Sequence, residues 1–175
     1  MKTTETKMAD EILETLEREA PRTRRVLEKV PQNHDDWKPH EKSMPLGRLA
    51  MLVATMPSWV GFIVGKDELD VQPPAGQSNV DQRPLRTAKE LVEAHDKAMD
   101  GAREALKNAT DEHLSKPWKL LAGGTKVAED PRYAVLRDTI GHLAHHRGQL
   151  TVYLRLNNAP IPSVYGPTAD DPTFK

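Results

Sequence analysis

Two histidines one helical turn apart are the residues of this sequence best suited to chemistry. His142 and His146 lie in the segment Gly-His-Leu-Ala-His-His-Arg-Gly-Gln-Leu, residues 141–150. If this segment is helical, both imidazoles lie on one face, where they can chelate a single metal ion. The same spacing also occurs in structural and surface histidines, so it leaves both interpretations open.

A third histidine, His95, lies in the middle of an apolar stripe that includes Leu91, Val92 and Met99. A histidine at such a position is either a hydrogen-bonded residue of the core or a ligand that faces the interior. Other sites are excluded by their patterns. The sequence has no Glu-x-x-His pair of the di-iron bundles, no His-Glu-x-x-His motif and no glycine-rich phosphate loop.

Composition excludes further classes of protein. The 175 residues contain 25 Lys and Arg against 26 Asp and Glu, a formal net charge of -1, which argues against a nucleic-acid-binding protein. Cysteine is absent, which rules out disulfides and a cysteine nucleophile. The uncharged run 49–65 is shorter than a membrane span and contains Pro57. We therefore expect a cytoplasmic protein with no membrane or nucleic-acid partner.

Apolar residues recur at helical spacing in four segments, which must position these histidines. Thr87 and Glu90 form a capping-box pattern at the start of the third segment. Asp130 and Pro131 are the expected cap and first residue of the fourth. The predicted helices are 7–30, with a kink at Pro21; 43–64, capped by Ser43 and kinked at Pro57; 87–108; and 130–157.

The connections between these segments differ in length. Residues 66–86 are polar and rich in Pro and Gly, and they predict a long crossing loop between the second and third helices. Residues 110–129 predict an irregular connection, with a short strand pair or a helical turn as alternatives. The sequence thus predicts an all-α protein: one domain, residues 1–175, forming a four-helix bundle with a crossover and an extended tail over about 161–175.

Several short motifs resemble the DinB-like and YfiT-like superfamily of four-helix bundles, whose members are described as metal-dependent enzymes. The specific one is the block from His142 to Leu150, with His146 followed by Arg147-Gly148-Gln149. The weaker ones occur in the family's order over nearly the whole chain: Val30-Pro31, Trp37-Lys-Pro-His-Glu-Lys-Ser43, Leu46-Gly-Arg-Leu-Ala50 and Pro162-Ser-Val-Tyr-Gly-Pro167.

The resemblance implies a homodimer and a three-histidine site for a divalent ion such as Ni²⁺ or Zn²⁺. Two family ligands correspond to His142 and His146. The third lies in a Leu-Ala-x-His-x-Ala pattern, which here reads Leu49-Ala-Met-Leu-Val-Ala54, so that Leu52 replaces the histidine. A leucine cannot bind a metal, and catalytic zinc sites normally have three protein ligands.

Three interpretations of this departure remain open. The site is vestigial, with no metal, and the protein binds an organic ligand or nothing. Alternatively, another residue completes the site, with His95 as the candidate and His40 as a poorer one. In the third case, two histidines hold an ion only when a substrate supplies a further ligand.

The resemblance also suggests two classes of function. In a metal-dependent thiol S-transferase or hydrolase, Asp138 would orient His142, while Arg147 and Gln149 would bind substrate. The alternative for Arg147 is a solvated position or an interhelical salt bridge, and the alternative for Gln149 is an interhelical hydrogen bond. The other class is a binding or structural protein without catalysis, which Leu52 favours.

Overall fold

The structure, a computed structural model, describes residues 7–73 and 87–173, and most of these residues are helical. Six α-helices and three short strands follow one another along these two stretches. In chain order they are α1 Met8–Leu27, α2 Leu46–Thr55, α3 Trp59–Gly65, β1 Glu68–Asp70, α4 Ala88–Lys107, α5 Asp111–Leu114, β2 Pro117–Ala122, β3 Thr125–Pro131 and α6 Arg132–Leu156.

The predicted helical segments are present, with changes at their ends. The capping box of α4 is confirmed, because the Glu90 amide donates to Thr87 Oγ1 at 3.1 Å and the Thr87 amide donates to Glu90 Oε2 at 2.9 Å. The second segment begins at Leu46, not Ser43, and a 3₁₀ turn at Met56–Ser58 divides it into α2 and α3 at the predicted proline. Helix α1 continues through Pro21.

A small sheet corrects the all-α prediction. Strands β2 and β3 form an antiparallel hairpin, and β1 pairs with β2 in parallel, which gives the order β1-β2-β3. Gly123 and Gly124 make its turn, with positive φ values of 59° and 79° that glycine adopts without strain. The expected cap Asp130 therefore belongs to β3, and α6 begins only at Arg132, directly after Pro131.

Contacts between side chains fix the directions of the long helices. Tyr133 bonds to Glu11 and Arg147 to Glu19, so α6 runs parallel to α1. The Arg103–Glu17 and Arg24–Asp96 pairs make α4 antiparallel to α1. Helices α2 and α3 are antiparallel to α6, and hence parallel to α4.

Two hydrogen bonds align α6 with the pair α2–α3. At one end Tyr153 Oη donates to the Met44 carbonyl at 3.1 Å, just before α2. At the other, the buried Arg132 donates from Nε to the Ile63 carbonyl of α3 at 3.0 Å. Because both helices rise at the same rate, the middle of α6, between His142 and His146, lies level with roughly residues 50–54 of α2.

The apolar stretch Leu46–Gly65 is long and apolar enough to cross a membrane by length and composition. Its buried side chains lie in the two apolar clusters of the interior, among residues of α1, α4 and α6. The 3₁₀ turn also interrupts its regular helix. It therefore serves here as a core element, and a cytoplasmic location stays a prediction.

Candidate functional site

His142 and His146 converge on the surface of α6, beside the row of buried leucines that faces the core. Their Nε2 atoms are 2.8 Å apart, and their ring centres are 4.5 Å apart. His142 is exposed and His146 is half-buried. Two imidazoles bound to one tetrahedral ion would hold their nitrogens about 3.3 Å apart, so a small separation of the rings suffices for chelation.

Gln149 favours one tautomer of His146. The side-chain oxygen of Gln149 lies 2.8 Å from His146 Nδ1, and because that oxygen accepts, Nδ1 carries the proton. In the neutral ring with this tautomer, Nε2 of His146 is unprotonated and accepts from Nε2 of His142. Metal-binding histidines are commonly held in this way, with one ring nitrogen donating to an oxygen and the other facing the ion.

The pKa of His142 is lowered from its ordinary value. Burial of part of the ring is the main cause, because it disfavours the charged imidazolium, and the neighbouring His146 and His145 act in the same direction. A lowered pKa keeps the His142 imidazole neutral at pH 7, and only a neutral imidazole can bind a metal ion. His142 is therefore neutral at pH 7, and it can bind a divalent ion through Nε2 in the tautomer that carries its proton on Nδ1.

No third ligand joins the pair in the described part of the chain. Among residues 7–73 and 87–173, no three His, Asp or Glu side chains come together as a group that could hold a metal ion. Leu52 is half-buried, at the level of α2 that faces this part of α6, and it packs on the apolar cluster containing Leu143 and Leu150. The described residues therefore do not form a three-histidine metal site.

His95 lies in the core of the protein and is not brought together with His142 and His146. Its side chain is buried on α4, and Nε2 lies 3.3 Å from the Ala20 carbonyl of α1. Its Nδ1 is buried without a hydrogen-bond partner among the described residues. Burial lowers the pKa of His95, while backbone interactions with Ala20 and Ala54 oppose that shift. His95 therefore has the hydrogen-bonded core position that the apolar stripe predicted as one alternative.

The lowered pKa of His95 predicts acid sensitivity. Protonation is harder in the folded state than in the unfolded chain, so stability is complete above the unfolded pKa of about 6.5 and falls as the pH drops below it. We expect the melting temperature to fall between pH 7 and pH 5, and to fall less in His95→Leu. The exposed His34→Leu is the control, and an equal pH dependence of His95→Leu and wild type would contradict this origin.

Arg147 points away from the histidine pair into a buried ion-pair network. Its Nη2 donates to Glu19 Oε2 at 2.5 Å and to Tyr165 Oη at 2.6 Å, and its Nη1 to Thr23 Oγ1 at 3.0 Å. Arg22 donates to the other oxygen of Glu19 at 2.5 Å. The structure thus shows the interhelical ion pair that was one alternative for Arg147, and a role in substrate binding stays a prediction.

Glu19 stays ionised in this network. Burial alone would raise its pKa, but hydrogen bonds and charge from Arg147, with further bonds from Tyr165 and Arg22, lower the pKa below its ordinary value. Tyr165 reaches the carboxylate from the C-terminal tail, with its hydroxyl 2.9 Å from Glu19 Oε2. Glu19 and Tyr165 were not predicted as site residues, although Tyr165 lies in the Pro162–Pro167 motif that supported the resemblance.

The other two predicted site residues lie on the exposed side of α6. Asp138 makes no hydrogen bond or ion pair with any described residue. No contact therefore supports the role predicted for it in orienting His142. Gln149 bonds within its own helix to His146, not between helices, and it takes the orienting role instead. Whether Gln149 also contacts a substrate stays a prediction.

A cleft of about 340 Å³ lies apart from the histidine pair, between the end of α1 and the C-terminal tail. Arg25 holds the tail here by donating from Nε and Nη2 to the Ser163 carbonyl. The volume is within the range of small-molecule sites, which starts at about 300 Å³. The cleft is lined by charged residues of both signs, by two prolines and by one isoleucine: Arg25, Glu28, Lys29, Pro160, Ile161, Pro162, Asp170 and Asp171.

Comparison with known proteins agrees with the resemblance. A model of the DinB family matches residues 1–173. The chain is 25% identical over 163 residues to YrdA, an uncharacterised protein of Bacillus subtilis (strain 168), covering 93% of this chain and 90% of YrdA.

Two crystal structures show the same fold. A DinB-like protein from Bacillus cereus ATCC 10987 has a TM-score of 0.67 at 22% identity, with 88% of this chain and 95% of the other covered. The DinB-like protein YjoA of Bacillus subtilis has a TM-score of 0.63 at 22% identity, with coverages of 85% and 92%.

Proposed function

Because this chain belongs to the DinB family, we propose that it has kept two ligands of a three-histidine metal site and lost the third, and that it acts as a binding protein. In this proposal His142 and His146 hold a divalent ion such as Ni²⁺ or Zn²⁺ only weakly. The supporting observation is that these two imidazoles converge while no third donor joins them among the described residues. Leu52 occupies the level of α2 from which the resemblance expects the third histidine.

The weakness follows from the number of ligands. Replacing a protein ligand by water removes a direct metal–protein bond. Changes to outer-sphere partners alone already lower metal affinity about 10–100-fold, so the loss of a direct ligand should lower it further. Two imidazoles from neighbouring turns leave at least two positions of a tetrahedral ion to water or to a bound molecule. An ion held in this way exchanges readily, so the protein need not carry a permanent metal.

Removing both histidines tests the proposal. In His142→Ala/His146→Ala we expect Ni²⁺ binding measured by isothermal titration calorimetry to weaken more than about 100-fold, since both direct ligands are gone. The fold should persist, because neither side chain is fully buried. His34→Ala/His40→Ala removes two exposed histidines elsewhere and is the matched control. Equal Ni²⁺ affinity in all three proteins would overturn the proposal.

A metal-dependent enzyme of the thiol S-transferase or hydrolase type is the second candidate function. The bond between Gln149 and His146 favours it, because it fixes the imidazole with its unprotonated Nε2 toward His142, as in metal-binding histidines. A bound metal would supply Lewis-acid chemistry, and a substrate atom would have to provide the third ligand that Leu52 cannot. Metal-dependent turnover of thiol or ester substrates that disappears in His142→Ala would favour this candidate.

The fold supports two further parts of the proposal. Helices α1, α2–α3, α4 and α6 would form a four-helix bundle in which α2–α3 and α4 run in the same direction, as the resemblance implies for a crossover.

The cleft at the end of α1 is the candidate for a small-molecule site. Its charges of both signs suit a small zwitterion, and saturation-transfer NMR with amino acids would test it.

A further inference from the structure

Helix α2 carries an arginine one turn away from Leu52 and on the same side. Arg48 is four residues before Leu52, and residues at this spacing share a face of a helix. The Tyr153–Met44 hydrogen bond holds the start of α2 beside the end of α6. Because Gln149 is one turn before Tyr153 and both helices rise equally, Arg48 lies level with Gln149, as Leu52 lies level with the histidine pair.

The guanidinium of Arg48 is not used by the fold. Its side chain is exposed, and it makes no hydrogen bond, ion pair or aromatic contact with another described residue. Every other arginine in the described part of the chain has such a partner, which is a carboxylate, a backbone carbonyl or an aromatic ring. Arg48 therefore offers five N–H donors and a permanent positive charge to an anion from solution.

Gln149 supplies uncharged donors at the same level. Its side-chain oxygen lies 2.8 Å from His146 Nδ1, from which it accepts. Its amide nitrogen carries two N–H donors and has no hydrogen-bond partner among the described residues. A carboxylate between the Arg48 guanidinium and this amide would satisfy donors that the rest of the chain leaves open.

Apolar side chains lie one turn to either side of Arg48. Leu52 is half-buried on the apolar cluster of the interior, so part of its surface stays accessible. Toward the other end, the half-buried rings of Trp37 and Tyr153 meet edge to face, with centres 5.5 Å apart. Small-molecule sites combine apolar surface with a few polar groups in this way.

We propose that Arg48 and Gln149 bind the carboxylate of a small organic acid, whose apolar body packs on Leu52. The inference rests on the proposed function, a binding protein with an incomplete metal site, and it adds the chemical class of the ligand. The single charge of Arg48 matches that of one carboxylate, and its planar fork matches the two oxygens. No metal ion is needed for this contact, and Leu52 contributes apolar surface where a histidine would contribute a ligand.

Two other basic positions suit a carboxylate less well. Arg147, the residue predicted to bind substrate, already donates to the buried Glu19 carboxylate. In the cleft at the end of α1, Arg25 donates to the Ser163 carbonyl. Three acidic residues line that cleft and would repel a simple acid: Glu28, Asp170 and Asp171.

Titration of the metal-free full chain with benzoate, followed by NMR chemical shifts, tests the anion contact. Benzoate joins a carboxylate to an apolar ring. We expect Arg48→Gln to weaken its binding at least about tenfold, because a hydrogen bond to a charged partner is lost. Arg18→Gln replaces an exposed arginine of α1 and should bind like wild type. No benzoate binding by wild type, or equal binding by Arg48→Gln, would overturn the inference.

Leu52→Gln tests the apolar contact. Wild type should bind benzoate more tightly than acetate, and this preference should shrink in Leu52→Gln, since the ring then packs on a polar side chain. Circular dichroism checks that the variants fold. An equal preference in both proteins, or inorganic phosphate bound as tightly as benzoate, would overturn the assignment to an organic carboxylate.

The double variant His142→Ala/His146→Ala separates this inference from the metal proposal. It should lose Ni²⁺ binding and keep most of its benzoate binding, because Arg48 is unchanged. Benzoate binding that appears only with added Ni²⁺ would overturn direct recognition by Arg48 and leave the proposed metal site standing. Loss of benzoate binding in this variant would likewise contradict a contact that is independent of the metal.

Discussion

Leu52→His is expected to turn the weak histidine pair into a tight divalent-metal site. The new imidazole would project from α2 at the level of His142 and His146 and supply the third direct ligand. Since outer-sphere changes alone alter metal affinity about 10–100-fold, we expect the affinity for Ni²⁺ and Zn²⁺ to rise at least about 100-fold. Isothermal titration calorimetry of wild type and Leu52→His in the same buffer measures the difference.

Two variants show whether the gain comes from coordination. Leu52→Gln places a polar group of similar size at the same point without an imidazole, and it should bind metal as weakly as wild type. Leu52→His combined with His142→Ala should lose most of the gain. An unchanged affinity in Leu52→His, with a native circular dichroism spectrum, would mean that Leu52 does not face the pair and that the site was never a three-ligand site.

Arg147→Met is expected to cause the largest loss of stability. The substitution leaves the buried Glu19 carboxylate without its main partner, and breaking a buried ion pair in this way costs about 3–5 kcal/mol of unfolding free energy. The pH dependence has a defined sign. Because the pKa of Glu19 is lowered in the folded state, its contribution is present above the unfolded pKa of about 4.5 and is lost as the pH falls through the folded pKa. Chemical denaturation at pH 7 and pH 4 measures both effects.

A matched surface pair isolates the effect of burial. Arg103 bonds to Glu17 at 2.6 Å, but both side chains are more than 40% exposed, so Arg103→Met should cost only about 0–1 kcal/mol. Glu19→Leu/Arg147→Met removes both charges and should recover much of the loss. A cost for Arg147→Met no larger than that for Arg103→Met would show that the buried network does not stabilise the fold.

Local patterns in the sequence predicted most of the helical structure. Apolar spacing located the four helical segments. The capping box marked the start of α4, and Pro57 marked the break between α2 and α3, because these features act through neighbouring residues. The hairpin was not predicted beyond an open alternative. Its seven β3 residues are all exposed and three of them are charged, so they lack the apolar alternation that identifies a strand. Pairing with β2 determines their structure. Because Asp130 pairs with Trp118 in this hairpin, α6 begins at Arg132 and not at Asp130 as predicted.

The site was predicted in part for a similar reason. Helical spacing was enough to bring His142 and His146 together. The network around Arg147 depends on Glu19, 128 residues earlier in the chain, and on Tyr165 from the tail. Such distant contacts have no local pattern, so the spacing on α6 could not decide whether Arg147 faces a ligand or another helix.

The metal content of the purified protein tests the central claim most directly. The full chain, prepared without a histidine tag, is dialysed against Zn²⁺ or Ni²⁺, passed through a desalting column and measured by mass spectrometry beside Leu52→His. We predict far less than one ion per wild-type chain and about one per Leu52→His chain. One tightly held ion per wild-type chain, lost in His142→Ala/His146→Ala, would contradict an incomplete site and would favour the metal-dependent enzyme.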